Sequence, residues 1–335
     1  MPIDLLRFFE ANVSPLQLPQ GQDLAAIVVP ETSGHRIGKD GQGRPCLLLR
    51  QSPGASATMP IRLANVTVTF ASVCAVVDRT GERTQGTFTI VQCGSDQSLW
   101  PLFLATISTL APGLSSSPST DEIRRAVMSL VDLFQALGGP PAATVQGIWA
   151  ELFLISVATD PTTLATAWHA DPTTRFDFSR GHHRIEVKSS GRRERRHHFT
   201  LEQVTPPAST QAVVASIYVE RAGGGTALKG LFENVCALLE HDPLLWASFT
   251  MSFYRSLGSG WAEALADSFD WELARESLAF FPMRLIPRPQ VPASGEVTEV
   301  RFVSDLTALS SIADSELGTQ GGLLAAAAPK EWRNG

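Results

Sequence analysis

The chain has 335 residues, 44% of them apolar and 18% charged, with 33 acidic against 27 basic side chains and a net charge of −6. Such a length suits about two domains, each able to bury its own core, and the composition excludes a collagen-like, low-complexity or globally disordered chain. The acidic balance argues against a histone-like protein that coats nucleic acid through bulk charge, but not against a local basic site.

The N-terminal segment lacks a basic region followed by an apolar stretch, so no signal peptide is expected. No run approaches the roughly 18 apolar residues of a membrane span; the nearest, 99–114, is interrupted by Pro, Thr and Ser. Cys46, Cys74, Cys93 and Cys236 form no CxxC pair, so neither a disulfide framework nor a zinc knuckle is expected. A soluble cytoplasmic protein without a membrane partner is the expectation.

In chain order, residues 1–115 read as a β-rich accessory domain. Its strands are expected at Leu24–Pro30, Pro45–Leu49, Val66–Val77 and Gly86–Cys93, with turn-rich connections at Gly34–Gly43 and Gln51–Ala57. A Ser/Pro stretch, 112–120, marks a boundary. Ser119-Thr120-Asp121-Glu122 then signals a helix start ahead of an amphipathic run from Ile123 to Leu137, which Gly138-Gly139-Pro140-Pro141 ends. A second helix is expected from Thr144 to about Ala158. Strands resume at Thr174–Phe178, Arg184–Ser189 and Ala212–Val219, followed by helices at Thr226–Leu239 and Pro243–Leu257. Strand-like segments at Ala279–Ile286 and Glu299–Val303 precede a flexible-looking stretch, 321–335. The pattern predicts an α/β (α+β) domain over 119–310 that carries the chemistry, with a C-terminal tail over 311–335.

One window stands apart. Residues 175–198 hold eight basic and three acidic side chains, a local charge of +5, while the other 311 residues carry −11. The charges are threaded through a hairpin pattern: Phe176-Asp177-Phe178 alternates, Gly181 supplies a turn, and Arg184-Ile185-Glu186-Val187-Lys188 alternates again. Period two puts Arg184, Glu186 and Lys188 on one face, with the Cα atoms of Glu186 and Lys188 about 6–7 Å apart. Pairing through the turn would bring Asp177 to Glu186, and two such carboxylates suit Mg²⁺ or Mn²⁺.

Asp177, then Glu186-Val187-Lys188, resembles the motif of the PD-(D/E)XK nuclease superfamily, with Phe176 where the motif has Pro. That superfamily usually adds an acidic residue on a preceding helix. Glu151, in Gly147-Ile148-Trp149-Ala150-Glu151-Leu152-Phe153-Leu154-Ile155, is placed for this role as the only ionisable residue between Asp132 and Asp160. More narrowly, GIWAELFLI, FDF and IEVKSS, and Arg196-His197-His198-Phe199-Thr200-Leu201-Glu202-Gln203 are similar to a prokaryotic PD-(D/E)XK family found near restriction and phage-defence genes.

The resemblance implies a restriction-endonuclease-like core, a mixed central sheet flanked by helices, and Mg²⁺-dependent hydrolysis of DNA in a restriction or anti-phage system. Asp177, Glu186 and the Val187 carbonyl would hold the ion, with Glu151 completing the set directly or through water, and Lys188 would orient the water or neutralise charge. Arg192, Arg193, Arg195 and Arg196 would bind phosphates, with phosphate or base contact or plain solvent exposure open to His198. Gln203 is open to three roles: touching DNA, supporting the site from behind, or capping a short helix. A homodimer would account for double-strand cutting, and proteins of a defence operon are further candidate partners. The competing expectation is a non-catalytic nucleic-acid-binding or scaffold subunit.

Other signals carry less. The adjacent pairs His182-His183 and His197-His198 point to opposite faces of a strand and chelate poorly. His169 and His241 stand alone and read as surface residues. Gly223-Gly224-Gly225-Thr226 with Lys229 lacks the ending of a phosphate-binding loop and reads as a strand-to-helix turn.

Overall fold

A computed structural model describes residues 5–17, 21, 23–30, 34–51, 58–110, 114, 118–169, 175–207, 209–290 and 299–330. The chain divides into two units, Met1–Pro140 and Pro141–Gly335.

In the first unit, α1 (Leu5–Phe8) precedes β1 (Leu24–Val28), β2 (Arg36–Lys39), β3 (Pro45–Arg50), β4 (Ile61–Arg62), β5 (Val66–Val77) and β6 (Arg83–Cys93). The strands pair in the order β1-β2-β3-β6-β5-β4, and β1 also runs parallel to the end of β5. Five strands therefore close into a ring, which leaves few unpaired edges. Gly38 in β2 lets β1 approach, since a Cβ there would lie 2.5 Å from the Ala25 carbonyl oxygen. Two helices follow, α2 (Trp100–Leu110) and α3 (Thr120–Leu137). α3 starts where expected, on a capping box in which Ser119 and Glu122 each hold the other's main-chain amide.

Three features differ from expectation. Gly34–Gly43 contains β2, because Arg36–Lys39 is paired on both sides, by β1 and by β3. Residues 99–110 form helix in a region read as β-rich, yet no helix among the described residues is long and apolar enough to cross a membrane. α3 belongs to the first unit, where it packs on α2 and β5. Most of the expected boundary stretch, and the connection from Ser52 to Ala57, lie outside the described residues.

The second unit begins with α4 (Val145–Val157), α5 (Pro161–Ala167), β7 (Phe178–Arg180), β8 (His183–Ser190), β9 (Arg196–Thr200), α6 (Leu201–Val204) and β10 (Gln211–Tyr218). It continues through β11 (Arg221–Ala227), α7 (Leu228–Leu238), α8 (Pro243–Leu257), α9 (Trp261–Ala264), β12 (Ser268–Phe269), α10 (Trp271–Ser277) and β13 (Ala279–Pro282). The last elements are β14 (Arg301–Asp305), α11 (Asp314–Thr319) and α12 (Gly322–Ala327).

A central mixed sheet runs β13-β10-β8-β7, with β8 and β10 parallel and both outer pairs antiparallel. Alternation along β8 and β10 sends side chains to two cores. Ile185, Val187, Val213 and Ala215 meet α4, an almost wholly buried helix, in the larger core. Val214 joins Phe199, Phe281 and Leu306 in the smaller one. This is the expected mixed α/β architecture, a central sheet flanked by helices. The stretch read as flexible is ordered over 321–330: Leu323, Leu324 and Ala327 of α12 are buried in the larger core, and the helix packs on α5 and β8. Its run of Gly and Ala mimics a linker in composition, but its leucines have a core to enter. Residues 331–335 lie outside the described residues.

Candidate active site

The β7–β8 hairpin turns through Gly181-His182, and Gly181 takes φ +55°, as a two-residue hairpin turn requires. The strand begins at Phe178, later than the expected Thr174–Phe178; residues 170–174 lie outside the described residues. Asp177 precedes the strand, and continuing the register Phe178↔Ile185 by one residue sets it across from Glu186. Its Oδ2 accepts the Val187 amide at 2.7 Å, so position 187 is already tied to Asp177 through its N–H.

Glu186 and Lys188 share a face of β8, as alternation predicts. Glu186 Oε1 accepts from Lys188 Nζ at 2.6 Å and from Gln203 Nε2 at 2.7 Å. Its other oxygen, Oε2, is buried and has no hydrogen-bond partner. Gln203 combines two of the roles left open to it: it closes the capping box of α6 with Thr200, and it holds Glu186. Lys188 Nζ also sits 5.2 Å from the centre of the Phe199 ring.

Glu151 is buried on α4, where a carboxylate is costly unless hydrogen-bonded. Its Oε2 accepts from Trp168 Nε1 at 2.6 Å and lies 3.0 Å from His169 Nε2. His169 is therefore no isolated surface residue, although its side chain remains 34% exposed. The expectation failed because this contact joins a post-helical turn to α4, a pairing with no local sequence signal. The chain at His169 also donates its amide to the Asp177 carbonyl at 2.9 Å.

The electrostatics follow from this convergence. Burial raises the pKa of Asp177 well above the usual carboxylate value, and the charges of Glu186 and Glu151 push it further. Burial also raises Glu186, against the opposing pull of Lys188. Three carboxylates thus lie in one another's field beside a single lysine. The orphaned Glu186 Oε2 and the all-oxygen donor set fit a hard divalent cation such as Mg²⁺ or Mn²⁺. Asp177 and Glu186 are the side chains that would hold it. Among the described residues no three His, Cys, Asp or Glu side chains are grouped to hold a metal on their own, so Glu151 does not make a three-carboxylate cage with them.

The basic residues separate into two kinds. Arg192, Arg196 and His198 are exposed, and exposed Arg193 lies 3.0 Å from Glu220. Arg195 turns inward instead of reaching for phosphate. It donates to the Ser216 carbonyl at 3.0 Å, to Ser216 Oγ at 2.8 Å and to the Ser277 carbonyl at 2.6 Å, beside the Tyr218 and Phe281 rings. Within each histidine pair one ring is exposed and the other buried, His183 against Gln211 and His197 against Ser216 Oγ. Burial lowers the pKa of His197 to about 4, which keeps it neutral.

A family model described as "Putative PD-(D/E)XK family member, (DUF4420)" matches residues 14–307. No curated protein and no solved structure matches the chain.

Proposed function

The chain belongs to that PD-(D/E)XK family, and from this premise we propose that it is a Mg²⁺-dependent endonuclease acting on DNA in a prokaryotic restriction or anti-phage system. The observation that carries the reading is the state of Glu186. One of its oxygens is saturated by Lys188 and Gln203, while the other is buried, bare and beside a second carboxylate. Leaving a buried acceptor unsatisfied costs about 1–3 kcal/mol, a cost a bound cation would offset. When bound, the ion would polarise the scissile phosphate and acidify a water.

The chain's own residues then have distinct tasks. Asp177 and Glu186 supply the oxygen ligands, with Glu151 acting from α4. Lys188, held by Glu186 at 2.6 Å, is positioned to neutralise charge that develops on the phosphate. Exposed Arg192, Arg196 and His198 would engage the backbone without reading sequence.

The test is cleavage of plasmid DNA, linear DNA and RNA with Mg²⁺ by the wild type, Glu186→Ala and Lys188→Ala. Mg²⁺-dependent cleavage of DNA that both substitutions abolish is expected; cleavage persisting in both folded variants would overturn the reading. Exposed Arg192, Arg196 and His198 would equally serve a second reading, a non-catalytic nucleic-acid-binding subunit. It expects salt-sensitive binding without turnover, indifferent to chelator.

A further inference from the structure

We infer that His169 is a positioning residue which, together with Trp168, clamps Glu151 in the orientation that the metal-bearing site requires. The inference rests on the nuclease reading and extends it to a residue outside the family motif.

Both donors meet the same atom. Trp168 Nε1 lies 2.6 Å and His169 Nε2 3.0 Å from Glu151 Oε2. The terminal torsion of a glutamate is broad when nothing holds it. Two donors on one oxygen fix that torsion, and with it the direction in which the other oxygen faces. The two contacts also satisfy an oxygen of Glu151 in a helix whose other buried side chains are apolar.

The backbone supports the same assignment. His169 adopts φ +46°, one of three non-glycine residues with positive φ among the described residues. This left-handed conformation is uncommon for a residue with a Cβ and persists where its surroundings hold it. Here it is held from two sides, by the side-chain contact to Glu151 and by the main-chain bond to the Asp177 carbonyl at 2.9 Å. One residue thus connects two acids that come from different elements. The ring is one-third exposed, so hydrophobic burial does not account for its placement.

The test measures Mn²⁺ binding to the full chain by calorimetry and thermal shift, without nucleic acid, alongside cleavage assays. His169→Ala is expected to weaken Mn²⁺ binding about 10- to 100-fold, the range over which outer-shell hydrogen-bond partners act at metal sites. His169→Gln, which keeps an N–H donor of similar reach, should stay within about threefold of wild type on that scale. His169→Gly removes the ring while relieving the positive φ. It should melt like the wild type without metal yet bind Mn²⁺ as weakly as His169→Ala. Wild-type affinity in His169→Ala or His169→Gly would overturn the inference, as would a His169→Gln no better than His169→Ala. A wild-type chain that binds Mn²⁺ but cleaves no nucleic acid defeats the nuclease reading while leaving the clamp testable by affinity. A wild-type chain that binds no Mn²⁺ overturns both.

Discussion

Two buried polar clusters lie near the β8–β10 pair, and they are built on opposite rules. In one, Ser216 Oγ lies 2.8 Å from both Arg195 and His197, and two further Arg195 N–H groups reach main-chain carbonyls. Charge, hydroxyl and neutral imidazole all find partners there. In the other, burial raises the proton affinity of Asp177 and Glu186, the charge of Glu151 adds to both, and a carboxylate oxygen is left bare. A satisfied buried network stiffens a fold, whereas an unsatisfied one stores cost that a ligand or a proton can relieve. The basic and acidic residues of one window therefore divide between support and chemistry in a way their charges alone do not show.

The sharpest way to break this contrast is Lys188→Met, which removes the ammonium that Glu186 holds. Cleavage should fall on the order of 10²–10³-fold, measured as single-turnover rate on plasmid, with the fold intact by circular dichroism. The mirror experiment is Arg195→Ala. It should cost about 2–3 kcal/mol in urea unfolding by removing three hydrogen bonds to buried acceptors, while the rate per folded molecule stays near wild type. If the losses exchange places, the division of labour is wrong.

Asp177→Asn probes the stored cost directly. A carboxyl whose pKa is raised on folding stabilises the chain fully only below its unfolded value, near 4, and loses that contribution as pH rises through the folded value. The variant should therefore match the wild type near pH 4 and exceed it by about 1–3 kcal/mol at pH 8, while losing the Mn²⁺-induced gain in melting temperature. Equal stability at both pH values would remove the electrostatic basis of the site. The smallest effect is expected at the exposed arginines: Arg196→Ala should weaken DNA binding a few-fold at low salt and less as salt rises.

The elements that the sequence announced are those whose signals are local. Ser119 and Glu122 cap α3, Thr144 caps α4, and Gly181 sits in the hairpin that brings Asp177 to Glu186. Strand period alone set Glu186 and Lys188 together, and the isolation of Glu151 in an apolar helix marked it out. What stayed hidden depends on partners far away in the chain. Arg36–Lys39 is a strand because two others flank it, and Arg195 differs from its exposed neighbours only through Ser216 and Ser277. His169 joins the acids through a turn that has no motif.

α12 gives the site a place in time. Gly322 lies so close to β8 that a Cβ on it would stand 2.8 Å from His183 Nδ1, and the chain beyond α12 hydrogen-bonds back to Thr159 and Val157 at the end of α4. The strand carrying Glu186 and Lys188 is covered by a segment made well over a hundred residues later. Closing so long a loop is slow, and its entropy is lost before its contacts form. During synthesis, then, the acidic residues leave the ribosome long before the core that aligns them exists. A chain truncated before 322 would carry every residue of the motif and lack the packing that makes them one site.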